Sequence, residues 1–256
     1  MKRHCQCRKA TPALKQLTLR ILVPWWVFCL VVMLCPIGGQ AGATTFMMEE
    51  HQVTATSLYE SSPRLGNDGV SDLVTYSSLE VNQDGQAGKG DIWYQRLVNG
   101  KPYGSPVVIT SPRMPNDNQW NDVSGDYIVY TSYNNVESWT GQIMLYQIST
   151  DILNAIPSSG TILNEPRIQG DWIVWREGAF ETPCVMLYNL QWMRCGCHDP
   201  IRIAGPIPAG YYVDIGSNYV VWIKLTPSGQ RDVVTYDLNN GISEQITNTP
   251  STIEWE

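Results

Sequence analysis

Short apolar runs broken by turn residues recur along this chain, and no stretch sustains helical periodicity or paired helix caps. Asn121-Asp-Val-Ser-Gly-Asp-Tyr-Ile-Val-Tyr130, Pro166-Arg-Ile-Gln-Gly-Asp-Trp-Ile-Val-Trp175 and Val213-Asp-Ile-Gly-Ser-Asn-Tyr-Val-Val-Trp222 align directly. Pro63-Arg-Leu-Gly-Asn-Asp-Gly-Val-Ser-Asp-Leu-Val-Thr-Tyr76 is a looser copy. The closing aromatics Tyr76, Tyr130, Trp175 and Trp222 stand 54, 45 and 47 residues apart. Each is followed by a second apolar run, Asp91–Tyr94, Ile143–Tyr146, Val185–Tyr188 and Val233–Tyr236. A further strand follows a turn, as in Val107–Thr110 after Asn99-Gly100 and Glu244–Thr247 after Asn240-Gly241. Each unit thus reads as four short antiparallel strands. That repeat predicts an all-β chain, a β-propeller of four-stranded antiparallel blades with about four blades present. The blades fall at approximately 63–115, 116–160, 161–208 and 209–250, with the start of a fifth at 251–256. The Gly of each first turn serves a two-residue hairpin that needs positive φ. The closing Trp and Tyr residues are expected to pack between blades rather than face a ligand.

These repeats resemble the TolB-type β-propeller repeat over residues 63 to 247. The resemblance rests on Asp91-Ile92-Trp93-Tyr94, on Asp232-Val233-Val234-Thr235-Tyr236-Asp237-Leu238, and on the closing pairs Ile109-Thr110 and Ile246-Thr247. The family's Ser-Pro-Asp-Gly turn is replaced by Ser124-Gly125-Asp126, Gln169-Gly170-Asp171 and Gly216-Ser217-Asn218. TolB itself carries an α/β domain before its propeller, and only a short extension, residues 44–62, precedes the first repeat here. The resemblance therefore implies the fold, with a six-bladed closed ring as the usual form, and not a TolB equivalent. Thr249–Glu256 looks like the lead-in to a further blade. A reading frame that continues beyond the sequence is the favoured expectation, ahead of closure through 51–58 or self-association should the chain truly end at 256.

Composition changes the picture mainly through the leader. Residues 1–20 are basic, Ile21–Ile37 is a largely apolar run, and Ala41-Gly42-Ala43 offers a cleavage site, so residues 1–43 read as a signal peptide. An uncleaved membrane anchor is the other reading, and either way the rest of the chain is outside: secreted, periplasmic or cell-surface. Six of the 17 cations and none of the 24 acids precede residue 44, so the remainder carries 11 cations against 24 acids, a net charge of −13. That balance argues against nucleic acid and suits metal cations, basic proteins or neutral sugars, so a protein or glycan partner is expected.

Chemistry is sparser. Cys184, Cys195 and Cys197 follow the leader, and a bridge from Cys184 to Cys195 or Cys197 is preferred over zinc at Cys195-Gly196-Cys197-His198. Glu80, Asn82, Asp84 and Asp91 approximate a calcium loop with Gly85 at its turn, although position 1 should be Asp and position 12 Glu, so no cofactor is expected and calcium is the one the pattern allows. The loops between strands two and three and those between blades share one face, where Asp117, Asn118, Trp139, Glu165 and Tyr211 are candidate binding residues. No serine-hydrolase elbow, zincin helix or phosphate loop is present, and only His51 and His198 follow the leader. The expectation is an exported, non-catalytic binding scaffold. The alternative is a carbohydrate-active enzyme, a glycoside hydrolase or polysaccharide lyase, with carboxylate catalysis in the propeller channel.

Overall fold

The computed structural model describes residues 52–54, 58–81, 87–110, 116–135, 140–158, 163–179, 182–196, 199–206, 212–226 and 229–248. Every described residue belongs to one compact unit, His51–Glu256. Its first sheet comprises β1 (Tyr59–Asn67), β2 (Asp72–Val81), β3 (Ala87–Val98) and β4 (Lys101–Val108). The second comprises β5 (Asp117–Ser124), β6 (Tyr127–Asn135), β7 (Thr140–Gln147) and β8 (Ile152–Ile156). The third comprises β9 (Leu163–Gln169), β10 (Trp172–Glu177), β11 (Cys184–Asn189) and β12 (Ile201–Ala204), with α1 (Leu190–Cys195) between its last two strands. The fourth comprises β13 (Val213–Gly216), β14 (Tyr219–Leu225), β15 (Arg231–Asp237) and β16 (Ile242–Gln245). Strand order within every sheet follows chain order, and all pairs are antiparallel. The first strands of successive sheets adjoin one another, β1 with β5, β5 with β9 and β9 with β13, so they line a common axis and the fourth strands lie outermost. This is a β-propeller of four blades among the described residues.

The turns repeat for a physical reason. Gly125 and Gly170 hold φ of 57° and 58° between the first two strands of their blades. In the fourth blade Ser217, at φ 50°, takes that left-handed place at the aligned position, and the neighbouring Gly216 is not the left-handed residue. The next residue ties the turn to the connection between strands three and four. The Asp126, Asp171 and Asn218 carbonyls accept from the amides of Ile148 (2.9 Å), Leu190 (2.8 Å) and Leu238 (2.8 Å). Side chains add to this, since Asp126 also accepts from the Ser149 amide and Gln147 Nε2, each at 2.8 Å. The helix α1 was not expected from periodicity. It is a single short turn, capped by Asn189 Oδ1 accepting from Gln191 N at 2.9 Å and ended by Gly196 in the left-handed region.

The closing Thr has a definite job. Thr110 Oγ1 accepts from Ile92 N at 3.0 Å and donates to Asp91 Oδ1 at 2.7 Å, fastening the residue beyond β4 to β3. Thr247 Oγ1 accepts from Val233 N at 2.8 Å in the same way in the fourth blade. Apolar packing is organised between blades rather than within them. Leu73, Ile92 and Tyr94 of the first blade pack with Val123, Ile128 and Tyr130 of the second. Val129, Ile143 and Leu145 of the second pack with Ile168, Ile173 and Trp175 of the third. Val174, Val185 and Leu187 pack with Val213, Val220 and Trp222 of the fourth. Tyr76, Tyr130, Trp175 and Trp222 are all buried, as their packing role requires. Among the described residues no helix is long and apolar enough to cross a membrane.

Candidate functional site

The first strand of the first three blades, and the residue just before the first strand of the fourth, are bent at an equivalent place. Ser62, Trp120, Glu165 and Tyr212 have φ of 53°, 54°, 46° and 55°, each two residues before a charged side chain. In the first three blades the ladder slips at this point, between Ser61 and Arg64, between Gln119 and Asp122, and opposite Val174 and Arg176. A left-handed non-glycine costs roughly 1–3 kcal/mol and persists only where the surroundings fix it, and bulges commonly re-aim a strand's side chains. What they aim here are Arg64, Asp122, Arg167 and Asp214. These four sit opposite Thr75, Val129, Val174 and Val221, each the residue just before the buried aromatic, so they occupy one structural position in four blades.

Arg64, Asp122, Arg167 and Asp214 line a cavity of about 330 Å³ together with Tyr212 and Ile223. The charge therefore alternates, Arg, Asp, Arg, Asp, from blade to blade around the axis. Asp122 Oδ2 accepts from Ile168 N at 2.9 Å, which ties the second blade to the third. Burial pushes the Asp122 carboxyl above its ordinary value, outweighing the Ile168 and Val123 amides and the Arg167 and Arg64 charges that pull it down. Burial, and then the like charge of Arg64, lower the Arg167 pKa, while Asp122, Glu165 and Asp214 act against that. Arg167 Nε lies 3.9 Å from Asp214 Oδ1, whose side chain is 71% exposed. Arg64 Nε is buried and makes no hydrogen bond.

The residues expected to bind from the loop face are distributed differently. Asp117 and Asn118 are buried, at 6% and 0% exposure, on β5. Asp117 Oδ1 accepts from Gly90 N at 2.7 Å and Asn118 Nδ2 donates to Gly90 O at 3.0 Å, so both hold the second blade against the first instead of facing solvent. The fit leaves no room at Gly90, where a Cβ would lie 2.4 Å from Asn118 O. Glu165 is one of the four bent residues and lies 3.5 Å from Arg176, both side chains largely buried. Trp139 and Tyr211 lie outside the described residues. Of the calcium candidates, Asp91 is engaged by Thr110, and the side chains of Glu80, Asn82 and Asp84 lie outside the described residues.

The cysteine expectation needs correction. Cys184 is a free thiol, so it does not bridge to Cys195 or Cys197. Cys195, at the end of α1, is disulfide-bonded, whereas Cys184 takes a sheet position on β11. Cys197 and His198 lie outside the described residues, and among the described residues no group of His, Cys, Asp or Glu could hold a metal.

The axial charges were present in the aligned repeats as the second residue of each: Arg64, Asp122, Arg167 and Asp214. Alignment by the turn Gly and closing aromatic passed over them because they differ in sign. Their meaning depends on knowing that the position faces the axis.

Four-stranded antiparallel blades of this order, with Thr fastening the outer strand in the first and fourth, make a β-propeller of the TolB-like fold. Among solved structures the chain is similar to TolB from Acinetobacter baumannii, with a TM-score of 0.53 and 17% identity over 77% of this chain and 45% of that one. It is similar also to puromycin hydrolase (0.53, 12% identity, 76% of this chain and 30% of that one). A third is the β-propeller domain of the trilobed protease from Pyrococcus furiosus (0.50, 14% identity, 76% and 58%). The chain thus spans well under two thirds of each of these proteins, and identities so low establish the fold alone. No family model matches the chain, and no curated protein matches it.

Proposed function

We propose that this is an exported, non-catalytic β-propeller that binds a protein or glycan partner at the axis and the connections around it. The observation that carries the reading is the axial cavity, to which each of the four blades contributes one charged side chain from a single structural position. The turn tie recurs in the second, third and fourth blades and the Thr fastening in the first and fourth, whereas the four axial positions differ in sign. Variation of charge at a concave site on a rigid frame is what recognition of a ligand requires. Export rests on the leader, and the net charge of the exported part favours a neutral or sparsely charged partner over a polyanion.

Carbohydrate catalysis has one observation in its favour, the raised Asp122 pKa in a cavity that also contains Asp214. The Asp122 oxygen that meets Ile168 N is committed to holding two blades together, which favours the binding role. The test is to incubate the purified secreted protein with a panel of polysaccharides, following reducing ends and unsaturated products alongside retention in affinity gels. Retention without product is expected. Product formation that disappears in a folded Asp122→Asn variant would make the chain an enzyme instead.

A further inference from the structure

The axial cavity combines two guanidinium groups with two carboxylates in unequal states. Arg64 has a buried Nε with no acceptor, a costly condition for a strong donor. Arg167 is close enough to feel the Arg64 charge; it donates to the Pro166 carbonyl at 3.2 Å and lies 3.9 Å from Asp214, with the Asp122 and Glu165 charges also acting on it. Both side chains face the same space. Two neighbouring cations with donors to spare are the complement of a planar carboxylate, which a guanidinium grips through parallel N–H bonds.

The carboxylates limit what else the ligand carries. Asp122 and Asp214 would repel a second anionic group, so the ligand has a single acid. They are hydrogen-bond acceptors, and Asp214 lines the cavity with its side chain 71% exposed, so the remainder of the ligand should present donors. Tyr212 and Ile223 supply an apolar wall. A volume of about 330 Å³ suits one sugar ring.

We propose that this cavity binds a sugar-sized polyhydroxy carboxylate, a uronic acid unit, with its acid on Arg64 and Arg167 and its hydroxyls on Asp214. This rests on the binding reading above and names the ligand class for that site.

The probe is D-galacturonate, titrated into the full secreted chain by calorimetry beside its methyl ester, D-galactose and N-acetylalanine. The expected result is binding of galacturonate at least about tenfold tighter than its methyl ester or galactose, since only the charge-assisted bonds differ. Arg64→Met should remove about that same factor while leaving thermal stability level or raised, because it deletes an unpaired buried donor and relieves Arg167. A structural role for Arg64 would lower stability instead. Equal binding of galacturonate and its ester overturns the proposal. So does N-acetylalanine binding as tightly as galacturonate, which would make the site a peptide-terminus site. Should Arg64→Met fail to fold, the comparison of acid with ester in the unaltered protein decides the matter. No galacturonate binding, in a protein that still retains a neutral glycan or a protein partner, sinks the uronate assignment and leaves the scaffold reading standing.

Discussion

At the scale of single residues, aspartates in this fold serve opposite ends through burial and hydrogen bonding. Asp68 and Asp126 are partly desolvated, which alone would raise their pKa values. The Ser71 and Val70 amides and Arg96 override this at Asp68, and Ser149 and Gln147 override it at Asp126, so both are lowered. Their stabilising contribution is complete above the unfolded value near 3.8 and is lost as pH falls through the lowered folded values. Asp122 is raised, so folding takes up a proton there. Its contribution is complete below 3.8 and is lost as pH rises through the folded value. Asp126→Asn is therefore expected to flatten the acid limb of stability against pH, and Asp122→Asn to remove a decline on the rising side. Urea midpoints measured at close pH intervals from 2.5 to about 7 would check both signs. Parallel curves for the two variants would mean that these carboxyls do not titrate as their surroundings dictate.

At the scale of elements, the Thr fastening decides whether the outer strand of a blade stays paired. Thr110 joins the Ile92 amide to Asp91, so Thr110→Val, similar in shape, leaves a buried amide and a carboxylate without that partner. The expected loss is about 1–3 kcal/mol, with faster hydrogen exchange confined to β4 and the adjoining edge of β3. Exchange that quickens evenly across all blades would show instead that the hydroxyl supports the whole array. Thr110 and Thr247 show how far such features were legible beforehand. The Ile-Thr ending was plain in the sequence because it recurs, and the Asp just before the amide each Thr accepts from, Asp91 or Asp232, recurs with it. Asp117 and Asn118 had no such signal. They stand in a variable stretch before the aligned repeat, and their burial depends on Gly90 of the preceding blade, a contact across 27 or 28 residues that no local pattern announces. Cys184 failed for a related reason, since pairing was argued from cysteine number while its position on β11 is set by the sheet.

At the scale of the molecule, each apolar cluster belongs to a pair of blades, so no blade owns a core and stability is a chain of three interfaces. The middle one, where Trp175 is fully buried and donates to Glu177 at 2.9 Å, separates a first half built on the Leu73–Tyr130 cluster from a second built on the Val174–Trp222 cluster. Trp175→Ala should cost about 3–5 kcal/mol, a large share of the ordinary stability of a domain, about 5–15 kcal/mol. Because the loss falls at the centre of a nearest-neighbour array, urea unfolding should divide into two steps with both halves still protected from hydrogen exchange between them. Trp222→Ala strikes the last interface with a similar large-to-small change. Its expected effect is early loss of protection in β13 to β16 alone, with the first three blades unfolding later and together. If both variants unfold in one step, coincident by circular dichroism and by exchange of every blade, coupling would have to run beyond adjacent blades. The axial ring of Arg64, Asp122, Arg167 and Asp214, which touches all four blades at once, is the part of the structure placed to carry it.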